Sequence, residues 1–150
     1  MIKELFLLIR MLFQATRQSG SIQTIVMEHF PFHGFSAMMW CGHIIVREEY
    51  KESITGTTLN HENIHLCQAK LHGSWWKYYL SYLWNWAKHN PFSKSAYFLN
   101  KYEGEAFANQ SNIDYIRNYT GKNLYKYDLG HKVLKACGSI QRYLNFIETL

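Results

Sequence analysis

Thr57–Leu71 reads TTLNHENIHLCQAKL, and inside it stands His61-Glu62-Asn63-Ile64-His65, the pattern H-E-x-x-H. On a helix, residues four apart lie one turn apart on the same face. The spacing therefore predicts a helix whose two imidazoles can point at one metal ion. Glu62 follows the first of them and leans toward the open side of such a metal, where it can take a proton from a bound water. Gly56 breaks what precedes, and Thr57 or Thr58 can cap the first turn. Ile64, Cys67 and Leu71 make an apolar seam apart from the histidines. The chain has 8 His in 150 residues, so the pattern alone also fits a polar helix with two exposed histidines. A catalytic zinc normally takes three protein ligands, and the metal reading turns on finding the third.

Three residues downstream compete for that place. His72 comes one residue too late for the H-x-x-G-x-x-H continuation of the metzincins, whose glycine and histidine positions are held here by Gln68 and Leu71. Asp114 has no supporting motif. Glu105 lies in Lys101-Tyr102-Glu103-Gly104-Glu105-Ala106-Phe107-Ala108-Asn109. Asn100 can cap a helix there, with Glu103 closing a capping box. Glu105 and Asn109 then share one face, so that one can bind a metal while the other steadies a ligand histidine through its second ring nitrogen. On spacing alone, a solvated helix carboxylate is an equal reading of Glu105.

With these residues, the chain resembles the gluzincin branch of zinc metallopeptidases in its minimal form, HExxH followed by E-x-x-A-[DN]. The resemblance implies that His61, His65 and Glu105 hold Zn²⁺, that Glu62 is the catalytic base, and that Asn109 supports a ligand histidine. Asn109 stands where the family has Asp, so that support would lack a negative charge. The chain is also similar to short bacterial proteins sharing N-H-E-x-I-H-x-x-Q and A-Y-x-x-x-x-[FY]-E-x-E-A-[FY]-A-N. Asn60 to His65 with Gln68, Ala96-Tyr97, and Tyr102 to Asn109 match, within roughly Ala37 to Tyr115.

At 150 residues the chain is long enough for one domain with a real core. The net charge of +5 suggests modest attraction to anionic surfaces, but no nucleic-acid-binding motif accompanies it. Cys41, Cys67 and Cys137 form an odd set without C-x-x-C, which favours a reducing, cytoplasmic setting over a disulfide framework.

Residues 1–20 begin with MIKELFLLIRMLFQATR. Arg10 interrupts the apolar run, no A-x-A site follows, and the run is too short to span a bilayer. An amphipathic helix that packs on the domain is preferred, with a helix lying on a membrane as the alternative. Gln18–Ser21 reads as a turn, Ile22–Val26 as a weak strand, His29–Gly34 as a second turn, and Met38–Val46 as a strand. The gluzincin resemblance gives the segment around His43–Arg47 the role of pairing with substrate backbone. Ser74–Lys88 reads as a helix with one narrow polar stripe, Lys77, Ser81, Asn85 and Lys88. It suits a core position under the metal helix, or a peripheral membrane contact through Trp75–Trp86. The Glu105 helix is expected to run from Lys101 to about Tyr119, with Ile113 and Ile116 on its core seam. A last helix, near Val133–Ile147, is open to a break at Gly138.

The expected fold is α+β, mostly helical: a zincin-like core with a small sheet packed on the HExxH helix. The expected function is that of a zinc-dependent hydrolase, a peptidase acting on a peptide or protein. Tyr97, Tyr102, His33 and His43 are the candidates for stabilising an oxyanion. A non-catalytic metal-binding module and a membrane-surface interaction protein remain the alternatives. The hydrolase reading requires the Glu105 side chain to come within bonding reach of both rings.

Overall fold

The computed structural model describes residues 1–14 and 23–150; the Gln18–Ser21 turn and the end of the 1–20 segment lie outside them. Helix α1 covers Ile2–Gln14, and strand β1 covers Gln23–Met27. Strands β2 (Ala37–Trp40) and β3 (His43–Arg47) follow, then α2 (Gly56–Leu71), α3 (Trp75–Ala87), α4 (Lys94–Leu99), α5 (Lys101–Asn109), α6 (His131–Cys137) and α7 (Ile140–Ile147). The chain is thus α+β and mostly helical, as its sequence indicates.

The apolar run Met38–Val46, expected as one strand, is a hairpin. Cys41 and Gly42 take φ of 47° and 87°, the paired positive angles of the two-residue turn that suits the twist of antiparallel strands. In the sheet order β1-β3-β2, β3 lies between a parallel β1 and an antiparallel β2. Buried on both faces, β3 shows the unbroken apolar run His43–Val46 rather than alternation. The edge strand beside α2 is therefore β2. The central β3, around His43–Arg47, cannot take the substrate-pairing role expected of it.

Helix α2 is capped by Thr55, whose side chain accepts from the Thr58 N–H at 3.1 Å, and not by Thr57 or Thr58. Its inner surface combines apolar Ile64, Leu66 and Ala69 with polar Asn60, His61, Glu62, His65 and Gln68, all buried. Burying five polar side chains on one helix is costly unless each finds a partner. Met39, Leu66, Ala69, Tyr78 and Tyr102 form the core where β2, α2, α3 and α5 meet.

Asn100 caps α5 by accepting from the Tyr102 N–H. The helix stops at Asn109 instead of reaching Tyr119. Ile113 is accordingly exposed rather than on a core seam, and Tyr115 and Tyr119 fold back onto Glu105. Leu99, Tyr127, Tyr143 and Ile147 close a separate core under α5. The expected break at Gly138 is present: it caps α6 in the left-handed conformation with φ 77°.

Candidate metal centre

The register of α2 and α5 brings three donors together. His61 Nε2 and His65 Nε2 stand 3.1 Å apart. Glu103 places Oε2 3.3 Å from the first and Oε1 3.4 Å from the second. One ligand atom from each of the three residues lies within 4.8 Å of the others, close enough for a single ion to be shared among them. Two imidazoles and a carboxylate are also a donor set that catalytic zinc takes.

The outer ring nitrogens are already engaged. His65 Nδ1–H donates to Gln68 Oε1 at 2.8 Å, and His61 Nδ1–H donates to Gln110 Oε1 at 3.2 Å. The Gln68 amide is oriented unambiguously, because its Nε2 donates to Tyr102 O and to Glu105 Oε2, both at 2.9 Å. Its oxygen must then face His65. With Nδ1 protonated, each Nε2 turns a lone pair inward. Two such lone pairs 3.1 Å apart beside a carboxylate repel unless a cation, proton or metal, sits among them. Without a metal, a proton takes that place. Burial pulls the His65 pKa down, but the charge and hydrogen bond of Glu103, with Glu62 and Gln68, outweigh it and raise it to about 9. Burial pushes Glu103 up, yet the two histidines hold it well below the usual carboxylate range.

Glu105 is not part of this cluster. It is fully buried, and it accepts from Gln68, Tyr115 at 2.9 Å and Tyr119 at 2.6 Å. The condition that the hydrolase reading placed on Glu105 is therefore not met, and a metal site at these histidines rests instead on Glu103 as the third candidate ligand. Residues two apart on a helix diverge by roughly 200°, so the register of α5 admits one of the two glutamates to the histidines. Asn109 does not reach a ligand histidine either: it donates to Glu105 O and Tyr127 Oη. The support expected of it comes from Gln68 and Gln110. A signal for Glu103 is present in the sequence. Glu103 and Glu105 are each followed three residues on by an alanine, and Asn109 points to Glu105, which the structure does not bring to the histidines. The capping box expected of Glu103 is replaced by its contact with the histidines.

Glu62 lies close enough to both imidazoles and to Glu103 to feel their charges. Its Oε2 accepts from the Met39 N–H of β2 at 2.6 Å. Burial raises its pKa, and the Glu103 charge adds to that against the pull of the histidines and Met39. Of the oxyanion candidates, Tyr97 lies close enough to Glu103 for that carboxylate to add to burial in raising its pKa. Tyr102 is held by Ser81 and His72, His43 bonds back to Cys41 O, and His33 is exposed in its turn. Two α3 residues that sequence reasoning missed also belong here: Tyr82 donates to Glu103 Oε1, and Tyr78 donates to Gln68 Oε1.

The chain matches no protein-family model, and neither the curated proteins nor the solved structures contain a similar one.

Proposed function

We propose that this chain is a zinc-dependent hydrolase of the gluzincin kind, acting on peptide bonds, with His61, His65 and Glu103 as the metal ligands. The observation that carries the reading is the convergence of three buried donors at 3.1–3.4 Å, with the outer nitrogens of both rings already occupied. A bound zinc would supply Lewis acidity toward a carbonyl and bring a water's pKa to about 7.

The chain's own residues do the remaining work. Glu62, with its elevated pKa, takes the proton of the attacking water and passes it to the leaving amine. The Met39 N–H holds one Glu62 oxygen, and the other would make that transfer. Gln68 and Gln110 fix the tautomers of the two ligands. Tyr82 fixes the Glu103 carboxylate, and Tyr97, beside Glu103, is the candidate donor for a developing oxyanion.

The test is zinc content and peptide-library cleavage for wild type, Glu103→Ala and Glu62→Gln. The wild type should hold one zinc and cleave, Glu103→Ala should lose the metal, and Glu62→Gln should keep it without cleaving. Full zinc content in Glu103→Ala would overturn the ligand assignment.

One observation favours the non-catalytic metal-binding module. The N–H of Met39, which a peptide pairing with the β2 edge would use, is occupied by Glu62. Stoichiometric zinc without cleavage of any peptide in the library would select that reading.

A further inference from the structure

Helices α1 and α3 each bury one face and leave a second apolar face in water. On α1, Ile2, Phe6 and Phe13 are 67%, 69% and 74% exposed, with Leu5 and Ile9 beside them. On α3, Trp76, Leu80, Leu83 and Trp84 follow one another at helical spacing, and Leu80 and Trp84 are 66% and 72% exposed. Single exposed apolar residues are ordinary, but continuous rows of large ones mark a docking surface. The packed sides of the two helices meet in one cluster. Leu8, Met11 and Leu12 of α1 pack in one cluster with Trp75 and Tyr79 of α3, and the Trp40 indole donates to Leu8 O at 3.1 Å.

The charges carried by these helices identify the occupant. Lys3 and Arg10 on α1 and Lys77 on α3 are exposed. The acid of α1, Glu4, is turned inward, where it accepts from the Glu28 and His29 N–H groups. The α3 segment WWKYYLSYLWNWA contains no acid. Glu28 is the exposed acid near the start of α1. Bulky apolar and tryptophan side chains interleaved with cations are the pattern of a helix lying in the plane of a bilayer interface. No helix among the described residues is long and apolar enough to cross a membrane, so such contact would be peripheral.

We propose that the outer faces of α1 and α3 together dock this protein on an anionic lipid bilayer. The test is co-sedimentation with phosphatidylcholine vesicles, with and without phosphatidylglycerol, over a salt series. Binding is expected with the anionic vesicles and should weaken as salt rises. Lys3→Gln with Arg10→Gln should reduce it about 25-fold, about five-fold for each cation lost. Phe6→Asp with Phe13→Asp, or Leu80→Asp with Trp84→Asp, should abolish it while leaving circular dichroism unchanged, since these side chains already face water. Equal binding to neutral and anionic vesicles would overturn the proposal, as would no binding at all. So would a dimer that Trp84→Asp dissociates, because a second copy would then be the occupant.

Discussion

Zinc and a proton compete for the same place between His61, His65 and Glu103, and the size of that competition follows from the structure. The His65 pKa stands at about 9 against an ordinary 6.5, so at pH 7 the folded, metal-free chain carries a proton that the metal must displace. The raised pKa means that the proton is fully held below about 6.5 and given up as pH climbs through about 9. Zinc affinity should therefore rise about tenfold per pH unit, and at pH 7 it should lie about 100-fold below its high-pH limit. Binding at pH 7 should release one proton from His65. Calorimetry in buffers of different ionisation enthalpy reads the proton count, and competition with a chromophoric chelator from pH 6.5 to 8.5 reads the slope. Glu103→Gln removes the main charge that holds the proton. Burial, the largest single cause, is then opposed only by Glu62 and Gln68, so the His65 pKa should fall and the weakened residual binding should level off at a lower pH than in the wild type. A flat affinity in the wild type, or a wild-type slope in Glu103→Gln, would refute the reasoning.

Three further outcomes follow from the same geometry. Glu105→Gln should keep one zinc per chain, but with affinity lowered about 10- to 100-fold through the loosened Gln68–His65 contact; it should also cost about 1–3 kcal/mol of stability, because one of the two accepting oxygens becomes an NH2 that cannot accept from the donor facing it, read by urea denaturation. Gln68→Ala should lower zinc affinity by a similar factor and leave Glu103 in place, so that chelator titration gives a weaker but still stoichiometric site. Thr55→Ala removes the side-chain acceptor that caps α2 and should cost about 1 kcal/mol, seen as a lower urea midpoint with zinc bound or absent.

Much of the candidate site could be read directly because it is local. The i, i+4 spacing of His61 and His65 places both rings on one face of any α-helix, whatever surrounds it, and Glu62 follows from the same turn. The mostly helical α+β class, the helix over Ser74–Lys88 and the stop at Gly138 are also consequences of short-range pattern and turn chemistry. The hairpin at Cys41-Gly42 was hidden because a strand buried on both faces loses its alternation, so that two strands and a turn merged into one apolar run. Which side of α3 packs inward is a tertiary matter: Tyr78 and Asn85 are buried, and the outer face is Trp76, Leu80, Leu83 and Trp84.

What sequence by itself determined is the pair of imidazoles with a carboxylate between them. Which distant carboxylate joins them was decided by tertiary structure. Glu103 and Glu105 have the same local credentials, capped by the same Asn100 and each followed by alanine at the third residue. The choice between them is a rotation of α5 about its axis, set by Tyr127 packing against Gly104, by Tyr102 entering the core beside Tyr78 and Leu66, and by the Gln68 amide bonding to Tyr102 O. Burial then gave the two acids different work. Glu103 is placed against two rings that need a cation, and Glu105 is satisfied by two phenols and an amide that hold one of those rings in position.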